Sequence, residues 1–162
     1  MPHVDNAGIF NNAGRIHIEA AGFLDVGRVE AAGVAGDISL SAGGTLTVQL
    51  MDGTDTSIVA NRDLNLVSGA TLRLDGMVSA KRSLGWTCGY LDFAGRTVDL
   101  SIPESIRIQS NASFKIGGML EAGKDITLIS ANGSVWITGT IRGRSGDTLD
   151  SLTIIAQGNQ VQ

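Results

Sequence analysis

The chain has 162 residues, of which 43% are hydrophobic and only 4% aromatic, with 22 glycines. Its formal net charge is −4 and no basic run stands out, which argues against a nucleic-acid partner. No apolar run is long enough to predict membrane insertion, and the single cysteine, Cys88, excludes a disulfide within the chain.

From residue 16 onward the sequence repeats one unit, which consists of an apolar-x-apolar triplet, a short turn of small residues and a second triplet. The paired triplets begin at residues 16 and 24, 38 and 46, 64 and 72, 98 and 106, and 126 and 135, and a sixth unit opens at Leu152. Alternation with a period of two predicts short β-strands.

Such a short unit cannot bury its own apolar face, but units stacked on one another share a continuous core. The glycines supply the tight corners that this stacking needs. The sequence therefore predicts an all-β fold, a right-handed parallel β-helix (β-solenoid) of about six rungs, which forms a single domain over residues 1–162.

The alternation also predicts which side chains point inward. Core positions are expected at Leu66, Leu74, Leu128 and Ile137. Solvent-facing positions are expected at Asn65, Arg73, Thr127 and Trp136.

The third and fourth units begin at residues 64 and 98, and this spacing of 34 residues is the longest between any two successive units. This spacing predicts a lateral loop insertion at 81–95, which gathers several aromatic rings. Trp86 and Tyr90 of this loop, together with Trp136, are the candidate surface contacts with a partner chain or a sugar ring.

The search for chemistry finds no phosphate-binding loop, nucleophile elbow or metal-spaced cluster. Asp37, Asp63 and Asp125 each precede a first triplet, so aligned rungs would stack them into an acidic column suited to Ca²⁺ or to acid–base catalysis. Thr97 interrupts that column, and an aspartate at a strand entry commonly binds the corner backbone instead. We therefore predict no enzyme activity, no cofactor and no metal, and a buried, unreactive Cys88.

The segment from Ala122 to Ile141 resembles repeats of filamentous-haemagglutinin-type exoproteins, the large secreted adhesins of two-partner secretion. Segments 36–46 and 11–18 look similar. The resemblance implies a right-handed parallel β-helix, an extracellular or cell-surface location and an adhesive or structural role. The secretion domain of that family is not evident in this sequence.

Two other interpretations stay open. Bactofilins are small cytoplasmic β-helices that polymerise end to end, and the size and single cysteine are compatible with them, although their rungs are more regular. A β-helical protein that binds or cleaves polysaccharide is the second alternative. Residues 1–5 lack the basic and apolar regions of a signal peptide, which fits a cytoplasmic protein, a mature piece or a fragment.

The repeat extends nearly to both termini without a recognisable cap. An uncovered solenoid end exposes unpaired strand edges and core residues. The expected partner is therefore another copy of the chain, stacked end to end, or the remainder of a longer solenoid. The contact residues expected there are Ile9, Ile16, Leu152 and Ile154, and carbohydrate or a cell surface is the other expected partner.

Overall fold

A computed structural model describes residues 9–12, 14–50, 56–144 and 148–158, which form twenty short β-strands. Strands that lie three apart in chain order pair in parallel, so the chain winds into coils that stack on one another, and the predicted β-solenoid of about six turns is confirmed. Among the described residues, no helix is long and apolar enough to cross a membrane.

Each coil passes through three faces. The long sheet runs through the whole solenoid and contains β2 (Ile16–Ala20), β5 (Ile38–Ala42), β8 (Leu64–Ser68), β11 (Leu84–Cys88), β14 (Ser105–Ser110), β17 (Asp125–Ser130) and β20 (Ser151–Ala156). The first face, which precedes the long sheet in each coil, contains β1 (Ile9–Asn11), β4 (Val29–Ala31), β7 (Thr56–Ala60) and β10 (Met77–Ala80), then β13 (Leu100–Ile102), β16 (Met119–Ala122) and β19 (Thr140–Gly143). The third face contains β3 (Leu24–Val26), β6 (Leu46–Val48), β9 (Thr71–Leu74) and β12 (Tyr90–Asp92), then β15 (Phe114–Ile116) and β18 (Val135–Ile137).

The core consists of inward-facing side chains that stack in register from coil to coil. One column in the long sheet contains Leu40, Leu66, Trp86, Ile108 and Leu128, all fully or almost fully buried. The narrow interior is filled by stacked aliphatic residues, which accounts for the low aromatic content.

The predicted burial of Leu66, Leu74 and Leu128 is confirmed. The prediction for Ile137 is wrong, because this residue is only partly buried. It belongs to β18, which is the last strand of its sheet among the described residues. The expected outward-facing residues are exposed or half-exposed, with Thr127 the most covered of them.

The lateral loop predicted at 81–95 is wrong, because β11 and β12 occupy most of that segment and continue the long sheet and the third face. Leu64 pairs with Leu84 and Leu84 with Ile106, so the coil lengths here are 20 and 22 residues. The apparent unit start at residue 98 lies just before β13 of the first face. The 34-residue spacing therefore reflects an additional coil and not a loop insertion.

The fourth coil contains β10–β12 and the fifth contains β13–β15. Between them, strand pairing is interrupted in both the first face and the third face, which we call the lateral faces. The first face ends one sheet at β10 and begins another at β13, and the third face does the same between β12 and β15. Only the long sheet continues, through the pairing of β11 with β14. We call residues 93–99, which connect the two halves here, the seam.

The seam begins with a tight turn. Ala94 and Gly95 have φ values of 54° and 75°, in the left-handed region that residues with a Cβ rarely adopt. The N–H of Ala94 donates to Oδ1 of Asp92 at 2.8 Å, which helps to hold the turn.

A column of small side chains lines the inner corner after the long sheet. The hydroxyls of Ser68, Ser110 and Ser130 are buried and donate to backbone carbonyl oxygens in neighbouring coils, at 2.7, 3.2 and 3.0 Å. Cys88 pairs with Ser110 and lies in the same column. It is buried as predicted, and burial raises the pKa of its thiol to about 11.

Candidate functional site

The three aspartates at or just before the start of a long-sheet strand, Asp37, Asp63 and Asp125, bind neighbouring coils. The N–H of Asp63 donates to Oδ1 of Asp37 at 3.1 Å, and Arg82 donates through Nε to Oδ1 of Asp63 at 2.7 Å. The hydrogen bond from Arg82 is the main reason why the pKa of Asp63 lies below its usual value. Asp125 accepts from Ser151 Oγ at 2.6 Å. These contacts link coils across the corner, which is the structural role that the sequence favours.

The aspartates do not form a continuous column. Serines take the same position in three other coils, since Ser105 and Ser151 pair with Asp125 and Ser83 precedes β11. Within the described residues, no group of three or more His, Cys, Asp or Glu side chains is placed to hold a metal ion.

A second polar ladder, which sequence reasoning missed, lies on the outer side of the first face. Glu121 accepts from Ser101 Oγ at 2.8 Å and from Arg142 Nε at 2.7 Å, in the coils below and above. Arg144 adds a contact from its Nε to Ser101 Oγ at 3.2 Å. The hydrogen bond from Ser101 and the ion pair with Arg142 lower the pKa of Glu121.

Trp86 was predicted to be a surface contact, and this prediction is wrong. Only 1% of the residue is exposed, and its ring packs at 6.0 Å from the ring of Phe93 in a tilted arrangement. Its Nε1 is buried without a hydrogen-bond partner in the described residues. The residue lines a void of about 10 Å³ together with seam residues such as Thr97 and Val98.

The other two candidate aromatics are exposed. Tyr90, at the start of β12, is 52% exposed, and Trp136, in the middle of β18, is 38% exposed. Trp136 pairs with Lys115 of β15, so the two side chains leave the third face side by side.

An open groove of about 390 Å³ lies beside Lys115, on the outer side of the seam. Its walls come from two segments: Phe93, Gly95, Arg96 and Thr97 of the seam, and Lys115, Gly117 and Thr138 of the fifth and sixth coils. The groove lies where the third face is interrupted, between the seam and β15.

Two smaller depressions of about 280 and 230 Å³ lie on the long sheet and share Asp63 and Asn65. Charged side chains line them, among which Arg15, Asp37 and Arg107 are prominent. Asp37 and Asp63 are engaged in the contacts between coils described above.

The expected end contacts differ between the two ends. Ile16 is 7% exposed and Ile9 is partly buried. At the other end, Leu152 of β20 is 48% exposed and Ile154 is only partly buried, although both occupy positions that face the core in other coils. Among the described residues, β20 pairs on one side only.

Comparison with known proteins gives one family. The family model described as haemagglutinin repeat matches residues 3–49, 52–112 and 89–161, which is nearly the whole chain. Neither the curated proteins nor the solved structures contain a match to this chain.

Proposed function

Because this chain belongs to the haemagglutinin-repeat family, we propose that it is a rigid, non-catalytic stretch of an extracellular or cell-surface adhesin. The family typically consists of secreted or surface-attached adhesins. The observation that carries the proposal is the continuous register of the seven-stranded long sheet, in which each coil repeats the pairing of the one before. Six steps of about 4.8 Å give a rod of about 29 Å, along which side-chain contacts can be displayed.

The family match also favours the adhesin over the bactofilin-like polymer and over a polysaccharide-cleaving enzyme. The aspartates that suggested acid–base chemistry are occupied in hydrogen bonds that join coils. An adhesive surface needs a stable, regular support for exposed groups, and stacked coils provide it without a reaction centre.

The adhesive role is tested with the purified chain coupled to fluorescent beads. We expect saturable binding to host-cell or glycan-coated surfaces, and no release of new reducing ends from polysaccharides incubated with the protein. Cleavage that Asp63→Asn or Asp125→Asn abolishes would overturn the non-catalytic assignment. Beads that bind no tested surface would contradict the adhesive role.

We further propose that β20 continues the solenoid by pairing with another coil, supplied by a longer chain or by a second copy. The exposed core-facing side chains of Leu152 and Ile154 support this proposal, as does the strand edge that is unpaired among the described residues. Parallel pairing is directional, so copies would associate head to tail into open filaments.

Sedimentation and electron microscopy test this assembly. Ile154→Lys places a charge in the contact and is expected to shorten or abolish filaments. Val67→Lys is the matched control, because Val67 is 39% exposed on the outer side of the long sheet, away from the ends. A chain that stays monomeric at high concentration would refute assembly between copies.

A further inference from the structure

The corner between β17 and β18 contains the only Asn–Gly pair in the sequence, Asn132–Gly133. Asparagine is a chemically labile residue, because the backbone nitrogen of the next residue can attack its side-chain carbonyl carbon. A following glycine favours this attack, since it has no Cβ to obstruct the approach and its backbone adopts many conformations. In a folded protein, the reaction depends on which contacts hold the two residues.

Stacking of the coils accounts for the presence of this pair. A Cβ at Gly133 would lie 2.4 Å from the backbone nitrogen of Ser113 in the neighbouring coil, so a larger residue does not fit. Asn132 is stacked too, because its Nδ2 donates to Oδ1 of Asn111 at 2.6 Å, in the same corner of the fifth coil. Contacts that serve the packing of this corner therefore place a reactive pair there.

The groups that react are accessible at this corner. Asn132 is exposed, so water reaches its carboxamide. The N–H of Asn132 donates to the carbonyl oxygen of Asn111 at 2.9 Å, and the N–H of Ser134 donates to Oγ of Ser113 at 2.8 Å. Between them, the N–H of Gly133 donates to no group within the described residues. The attacking nitrogen is therefore not occupied by a hydrogen bond in that part of the chain.

We propose that Asn132 is a site of spontaneous deamidation, which its hydrogen bond to Asn111 restrains. The nitrogen of Gly133 forms a bond to Cγ of Asn132, the Cγ–Nδ2 bond breaks, and the proton of the nitrogen leaves with the released ammonia. Water then opens the succinimide ring. Cleavage of the bond from the nitrogen to Cγ gives aspartate, and cleavage of its bond to the main-chain carbonyl carbon gives isoaspartate.

The modification loosens the attachment of the last coil. A carboxylate has no N–H to donate to Asn111, so the hydrogen bond between the two side chains is lost. The carbonyl oxygen of Gly133 accepts from the N–H of Gly158 at 3.2 Å, just after β20. Isoaspartate adds one methylene group to the backbone before Gly133 and displaces this carbonyl. The corner therefore contains a slow chemical switch that acts on the C-terminal coil.

The test is incubation of the folded chain in neutral and in mildly alkaline buffer, followed by tryptic peptide mapping. Trypsin releases Asn111 and Asn132 on separate peptides, residues 108–115 and 125–142. We expect the amide-to-acid mass change on the second peptide alone, faster in alkaline buffer, with part of the product labelled by isoaspartyl methyltransferase. Asn111 is the internal control, because alanine follows it. Hydrogen exchange in β20 should be faster in converted than in fresh protein.

Two variants separate the role of the corner from that of the dipeptide. Asn132→Gln keeps an amide but requires a larger ring, so it should abolish the mass change. Asn111→Ala should accelerate conversion about fivefold, which corresponds to the loss of a restraint of about 1 kcal/mol. Circular dichroism should show that both variants are folded. Conversion of Asn132 only after denaturation, or conversion of Asn111 at the same rate, would refute the site, and an unchanged rate in Asn111→Ala would refute the restraint.

Discussion

Glycines in the corner between the long sheet and the third face allow the coils to approach closely, and they differ in what an added methyl group would meet. A Cβ at Gly22 would have nothing within 4 Å, whereas one at Gly89 would stand 2.7 Å from the carbonyl oxygen of Ala70. At Gly69 it would overlap the carbonyl oxygen of Gly43 more severely still. We therefore expect Gly69→Ala to destabilise the protein most, Gly89→Ala less and Gly22→Ala not at all.

The magnitude for Gly69 follows from three contributions. Overpacking against a backbone carbonyl costs about 1–3 kcal/mol. Forcing the coils apart also weakens the hydrogen bond from the Gly69 N–H to the carbonyl oxygen of Ala42, now 2.9 Å, which costs about 1 kcal/mol. The substitution also lowers the conformational entropy of the unfolded chain, which stabilises the folded state by about 0.4–1 kcal/mol. The net loss is about 2 kcal/mol, whereas Gly22→Ala should gain a few tenths to about 1 kcal/mol.

Urea unfolding followed by circular dichroism measures these differences, and thermal unfolding gives a second reading. The two extreme variants should differ by about 3 kcal/mol, which corresponds to roughly 6–12 °C in Tm for a chain of this size. Gly22→Ala controls for the chemical change itself, because it adds the same methyl group at the same corner. Equal stability of Gly69→Ala and Gly22→Ala would refute the reasoning that coil spacing is limited at this glycine.

Two further predictions concern titratable groups. Native Cys88 should react slowly with iodoacetamide at neutral pH, because the thiol is buried and its pKa is raised to about 11, and rapid labelling without denaturant would contradict its place in the inner column. Acidification should reduce the free energy of unfolding, because the pKa values of Asp63 and Glu121 lie below the ordinary values of 3.8 and 4.5. The stability that the two ionised carboxylates contribute is fully present above those ordinary pKa values, and it is lost as the pH falls through the lower pKa values of the folded protein. Asp63→Asn and Glu121→Gln should therefore make the urea midpoint less dependent on acidic pH. An unchanged pH dependence in both variants would refute this.

The alternation of apolar residues was sufficient to predict the solenoid, because every inward position of the long sheet from β5 to β17 is buried by the coils around it. The fourth coil was missed for a local reason. Gly85 occupies the outward position where a polar residue usually marks the alternation, and Trp86 is an aromatic in a column of aliphatic residues. Together these two residues make the segment resemble a loop, so the alternation does not reveal the shorter coils in this part of the chain.

The candidate sites depend on that coil length. Ser101, Glu121 and Arg142 lie 20 and 21 residues apart, so they stack once the coil is known to have about that length. The groove beside Lys115 could not be predicted, because it lies where the pairing of the lateral sheets is interrupted. Such an interruption depends on how the seam packs in three dimensions, and sequence alternation does not encode it.

The seam divides the solenoid into coils one to four and coils five to seven, which are joined by one continuous sheet. Stability in a stacked repeat protein is approximately the sum of each coil and its interfaces with its neighbours. The interface at the seam has one sheet where others have up to three, and Trp86 fills the core beside it. Trp86→Ala should therefore lower the stabilising free energy of the interface at the seam by about 3–5 kcal/mol, and this interface has the fewest paired sheets in the described part of the chain.

We expect Trp86→Ala to separate the unfolding of the two halves, so that hydrogen exchange in β16 and β17 no longer follows exchange in β5 and β8. Leu66→Ala is the control, because it also opens a core cavity, at a cost of about 2–5 kcal/mol, but within coils whose lateral sheets are unbroken. That variant should lower the stability while the first four coils continue to unfold together. If Trp86→Ala still unfolds in one transition, with equal exchange in both halves, the long sheet alone couples them and the seam is not a weak point.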